Sequence, residues 1–280
     1  MQQAGASLAV LLYPTAGPLG MVALRLTFAA VILLAVARPS LRGYTRSDWM
    51  TVVGFGLALT GMNVLYYLAN AHIPIGATST IELLGPLTLA VIMARTVSGW
   101  LSAALAAAGV ALLGWSGFEL LNPPGVLFAL GAAVLWAAYI LLSARTGARF
   151  AKLDGLAIAM TVGAVVTLPF GVGQAGAAML DPRVLLIALG IAVLSSAVPY
   201  ALELIALRRL APSSFSVLVS LNPAIAALAG FVVLGQVLAV LDWFAILLVG
   251  AASALAVGAA ARATHRTRGA RATVIDPSPG

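Results

Sequence analysis

Long apolar runs, each cut off by a few polar or charged positions, recur along this chain at a spacing close to the thickness of a bilayer. They read as helical spans over Gly20–Ala37, Trp49–Asn70, Gly76–Ala94 and Val97–Trp115, then Gly125–Ser143, Gly155–Gln174, Val184–Leu207, Ser213–Leu234 and Leu241–Ala261. A helix rising 1.5 Å per residue needs about 20 residues to cross the hydrocarbon core. A shorter segment, Ala4 to Ala16, precedes them. Its run of about 13 residues before Pro14–Pro18 reaches only roughly 20 Å, so the pattern expects further chain upstream of Met1 that completes a first helix. With that helix counted, the pattern predicts an all-α membrane protein of ten transmembrane helices. The first half covers residues 1–116 and the second 117–261; residues 262–280 form a basic tail predicted to be disordered.

Composition excludes a soluble fold. Of 280 residues 62% are apolar and 8% charged, with a mean hydropathy of +1.09. Soluble domains are nearer half apolar and a quarter charged. The chain has no cysteine, which excludes disulfides, thiolate catalysis and cysteine-ligated metals.

A net charge of +7 and a pI near 10.6 would also suit a nucleic-acid surface, but the positions of the charges say otherwise. Arg38, Arg42, Arg46, Arg95, Arg145, Arg149, Lys152, Arg208, Arg209 and the tail arginines all fall in alternate loops, on one side of the membrane. The opposite loops hold only Arg183, with Glu119 and Asp181. Excess Lys and Arg marks the cytoplasmic side, so both termini are expected inside a multi-pass inner-membrane protein, with no nucleic-acid partner. Trp49, Trp100, Trp115 and Trp243 lie near span ends, the depth that amphipathic rings prefer.

Five helices per half is an odd number, so the halves must enter the membrane in opposite senses. The sequence carries a trace of that repeat. At one offset of 137, Ala69-Asn70-Ala71-His72-Ile73, Ser79 and Gly85-Pro86 line up with Ala206-Leu207-Arg208-Arg209-Leu210, Ser216 and Asn222-Pro223. Pro86 and Pro223 should each kink a span, because proline lacks the amide donor and clashes with the carbonyl four residues earlier. Paired interruptions in corresponding helices point to a midplane binding site.

Several segments now resemble a known family. They are Val22-Ala23-Leu24-Arg25-Leu26, Gly61-Met62-Asn63, Glu82-Leu83-Leu84-Gly85-Pro86, Trp136 through Leu141, Pro199 through Leu207, and Asn222-Pro223-Ala224. In order and spacing they resemble the drug/metabolite transporter superfamily with two EamA-type halves, and within it the threonine/homoserine exporters. The resemblance implies a proton-driven exporter of small amino acids. Asn222 and Gln236 depart from it, standing where related exporters often carry Glu.

The candidate site residues are polar groups at membrane depth. Glu82 sits about 10 Å from the outer end of its span, four residues before Pro86. A carboxylate there must face a cavity or a partner. Arg25, roughly 8 Å deep, can hold a substrate carboxylate, pair with Glu82, or snorkel to the headgroups. Glu203 can serve the site or form an ion pair with Arg208 and Arg209, and Tyr200 lies one turn deeper. Trp136, Tyr139 and Ser143 share a helix face; Asn63 and Tyr66 form a similar pair, and Asn222 stands beside the second proline. Asp48 and Asp242 read as helix caps. The expected partners are a small zwitterionic solute, protons and the lipid bilayer, with no cofactor, metal or catalytic residue.

Other readings remain. A drug or another metabolite is the alternative cargo. An intramembrane enzyme would need a nucleophile or metal motif, and H-E-x-x-H and G-x-S-x-G are both absent. A membrane scaffold would not need a buried Glu beside paired kinks.

Overall fold

The computed structural model describes residues 2–94, 97–115, 122–209, 221–255 and 258, and these contain no strand. In chain order the helices are α1 (Gln2–Leu11), α2 (Tyr13–Ala37), α3 (Arg46–Asn70), α4 (Ile75–Glu82), α5 (Leu84–Ala94) and α6 (Val97–Trp115). Then come α7 (Pro123–Arg149), α8 (Asp154–Ala175), α9 (Pro182–Ala192), α10 (Val198–Arg209), α11 (Asn222–Leu234) and α12 (Val240–Leu255). Arg95, Glu119, Ser216, the first part of the span expected over Ser213–Leu234, and the tail lie outside the described residues, as do the side chains of Trp115, Arg208 and Arg209.

Among the described residues six stretches are long and apolar enough to cross a bilayer: Tyr13–Ala37, Arg46–Asn70, Ile75–Met93, Pro123–Arg149, Asp154–Leu180 and Pro182–Glu203. Val97–Leu112, Asn222–Leu234 and Val240–Leu255 are shorter apolar helices. Val31, Leu127, Val134, Val165, Phe170, Leu186, Val232 and Phe244 all point outward. In water so large an apolar exterior would drive aggregation; facing lipid, it is the expected surface. The protein is a multi-pass membrane protein.

Helix interruptions place the polar groups. Within Tyr13–Ala37 the helix is broken at Gly17, whose φ of 68° is left-handed, a region only glycine enters freely. The break frees the Leu19 amide, which donates to Gln174 Oε1 of α8 at 2.8 Å. Thus the segments expected to end at Ala16 and to resume at Gly20 are parted by Gly17 and Pro18. A second break falls at Leu83, between α4 and α5, three residues ahead of Pro86. The third was not foreseen. Val193–Ala197 widens into a π turn between α9 and α10, just ahead of Pro199, which can donate nothing to the Ser195 carbonyl.

α3 and α7 run side by side, with Gly54, Gly61 and Gly131 facing Leu142, Leu135 and Leu65 in turn. That descending register makes the pair antiparallel. At the end near Thr45, Thr45 and Asp48 form a capping box. Asp48 is therefore the third helical residue that closes the box rather than the cap itself, and Thr45 is the cap. Asp242 plays the same part in α12, where its carboxylate accepts from the Ala239 amide at 2.9 Å. Arg149 of α7 reaches across to Asp48 at 3.2 Å and to the hydroxyls of Ser47 and Thr51 at 2.9 and 3.1 Å.

Candidate functional site

A cavity of about 220 Å³ lies inside the bundle. Arg25, Asn63, Tyr66, Glu82, Trp136, Tyr139, Tyr200, Glu203 and Asn222 all line it. They come from α2, α3, α4, α7, α10 and α11, so no single helix contains the site. The prolines expected to kink the spans lie just behind this lining, Pro86 beyond Glu82 and Leu83, Pro223 in the first turn of α11.

Arg25 is 2% exposed, which excludes snorkelling. Its guanidinium donates to Asn63 Oδ1 and lies 4.7 Å over the ring of Tyr67, a cation–π contact in a dry setting. It bonds to Asn63 and makes no ion pair with Glu82. Among the described residues the Arg25 Nε has no hydrogen-bond partner, and it is closed off from the cavity. The guanidinium as a whole lines the cavity, and a ligand carboxylate is its natural complement.

Asn63 is the hub. Its amide nitrogen donates to the Leu59 carbonyl at 2.7 Å and to the Tyr200 hydroxyl at 3.3 Å. Its carbonyl serves Arg25, so α2, α3 and α10 are tied at one point. Tyr66 donates to Gln3 Oε1 at 2.8 Å. Its only hydrogen is then used, so the 2.8 Å contact with Ser79 has the serine as donor. Tyr139 packs between Phe55 and Tyr200, with ring centroids 5.3 and 6.1 Å away. It also walls a smaller cavity with Ser143, Thr146 and Lys152. Ser143 belongs to that second space, although it shares a helix face with Trp136 and Tyr139.

Glu82 is the last residue of α4 and is 9% exposed. Pro86 removes the bond that would have closed on the Glu82 carbonyl. Just beyond, α5 meets α7 so closely that a Cβ on Gly85 would strike the backbone carbonyl of Ala133. Glu203 shares the cavity. Sequence reasoning missed Gln2, Gln3, Ala6, Met62 and Pro199 in the lining. Only Pro199 carried a usable signal, a proline within an apolar run. Among the described residues no group of three or more His, Asp or Glu stands close enough to hold a metal ion.

Comparisons with known proteins bear on the family and the fold. Residues 123–258 match the EamA-like transporter family. Over 253 residues the chain is 36% identical to the threonine/homoserine exporter RhtA of Salmonella typhimurium strain LT2 and to that of Escherichia coli strain K12. Each alignment spans 90% of this chain and 85% of the relative. A solved crystal structure 19% identical superposes with a TM-score of 0.63, covering 91% of this chain and 93% of its own, a likeness of fold.

Proposed function

The chain belongs to the EamA-like transporter family, and we propose that it exports small neutral amino acids of the threonine or homoserine kind across the inner membrane, coupled to protons. It is a transporter and not an enzyme. One observation carries the substrate class: a guanidinium and two carboxylates line a single cavity of about 220 Å³. A zwitterion offers a carboxylate for Arg25 and an ammonium for Glu82. Drug-sized ligands occupy pockets of about 300–1,000 Å³, so the volume favours a small solute over a drug. The curated relatives' names point the same way.

We also propose ten helices in two inverted halves, with both termini cytoplasmic. Cavity residues recur in support of this at the offset of 137 seen in the sequence: Met62 with Pro199, Asn63 with Tyr200, Tyr66 with Glu203, and Gln2 with Tyr139. Asn63 and Tyr200 bond directly to each other, as expected for equivalent positions that meet on a two-fold axis. Rocking of the halves about that axis would open the cavity to each side in turn.

The test is flux in proteoliposomes. Vesicles preloaded with unlabelled threonine should accumulate labelled threonine or homoserine by counterflow, and an imposed pH gradient should drive net movement. Counterflow of a lipophilic cation but of no small neutral amino acid would overturn the substrate assignment.

A further inference from the structure

Away from the cavity, the Thr45 end of the α3–α7 pair carries a surface groove with Arg46, Ser47, Thr51, Arg145 and Arg149 on its rim and walls. Of its three arginines, only Arg149 is engaged with described residues, held by Asp48, Ser47 and Thr51. Arg46 and Arg145 are exposed and make no hydrogen bond or ion pair with described residues. Three guanidinium groups against one carboxylate leave the groove with a clear positive excess.

The groove is also apolar where it turns toward the membrane. Met50 and Leu142 line it, and Met50 is 68% exposed. From there Met50, Val53 and Leu57 run down one outward face of α3 at helical spacing, while Leu141 and Val134 do the same on α7. An anionic rim ligand is favoured because guanidinium forks match phosphate oxygens and basic pockets between membrane helices hold anionic headgroups. An apolar track leading off the same groove adds a requirement that a free anion does not meet.

We propose that this groove is a binding site for one anionic phospholipid. Its phosphate lies between Arg46 and Arg145 and its acyl chains follow the Met50–Leu57 and Leu141–Val134 faces. The site is independent of the transport reading. Bound there, the lipid would clamp the ends of α3 and α7 beside the Arg149–Asp48 bridge and steady the helix that carries Asn63 and Tyr66.

The experiment is lipid titration of the delipidated, detergent-solubilised protein, followed by native mass spectrometry. Phosphatidylglycerol should form a 1:1 adduct, and the Arg46→Gln/Arg145→Gln variant should bind it about tenfold more weakly, roughly 1.4 kcal/mol. Phosphatidylcholine should show no such difference, and glycerol 3-phosphate, which lacks acyl chains, should not compete. Arg38→Gln/Arg42→Gln removes equal charge from the neighbouring loop and should bind as the parent does. The proposal fails if the groove variant binds phosphatidylglycerol normally, or if the loop variant weakens equally, which would mean diffuse attraction. It fails too if glycerol 3-phosphate competes fully, which would mean a free-anion site. Unchanged melting of each variant without lipid is expected, since neither Arg46 nor Arg145 has a partner to lose among the described residues; a lower melting point for the groove variant would mean a structural role and overturn the assignment. Leu142→Trp, which fills the groove without altering charge, should weaken binding as well; normal binding by that variant would remove the acyl-chain part of the site.

Discussion

The two long walls of the cavity hold the same positions and different chemistry. On α3 stand Met62, Asn63 and Tyr66; on α10, at a constant offset, stand Pro199, Tyr200 and Glu203. Both stretches are helical, yet one wall ends in a phenol and the other in a carboxylate. The buried guanidinium, Arg25, and the more buried of the cavity's two acids, Glu82, both come from the N-terminal part of the chain. On the proposed inverted arrangement, a near-symmetric frame would let the cavity face either side with similar packing, and an asymmetric charge set would let one bound zwitterion take one orientation. Two like walls with like charges would hold the solute both ways round and bind neither end well.

The sharpest way to break this comparison is to remove the acid of the first half. Glu82→Gln keeps size and hydrogen bonding but cannot cycle a proton. Flux driven by a pH gradient should fall at least about a hundredfold, roughly 2.7 kcal/mol on the barrier, while counterflow persists. Native gradient-driven rates in that variant would rule out Glu82 as the coupling group. Next comes the acid of the second wall. Glu203 is only partly buried, so Glu203→Gln should slow export less than about fivefold, near 1 kcal/mol, and leave the pH response intact. If it abolishes coupling instead, the roles of the two carboxylates are reversed.

The smallest effect sharpens the contact between the walls. A double-mutant cycle on Asn63→Ala and Tyr200→Phe, read by thermal melting, should give a coupling of about 0.5–1.5 kcal/mol. Strict additivity would mean that the 3.3 Å contact does not join the halves energetically.

Much of the architecture was legible in one dimension. In hydrocarbon each backbone amide must bond within its own helix, so apolar runs of fixed length announce the spans. Proline cannot donate, so Pro86 announced an interruption that fell at Leu83. Depth along a helix is likewise a local quantity, and it identified Glu82, Arg25 and Asn63 as polar groups in costly places.

What the sequence by itself determined, then, was the class of the protein, its apolar spans and the residues whose burial demanded an explanation. The tertiary structure alone decided which of them share a space. Six helices contribute the nine expected residues to one cavity, and rotation about each axis is set by packing between helices, which no periodicity along one helix records. It turned Arg25 inward to Asn63, placed Glu203 in the same cavity as Glu82, and moved Ser143 to a separate space. It also opened a π turn ahead of Pro199 to seat Tyr200 against Asn63. Those choices depend on contacts between residues far apart in the chain, 38 positions for Arg25 and Asn63 and 137 for Asn63 and Tyr200, where each side chain's energy is set by neighbours that its local sequence does not name.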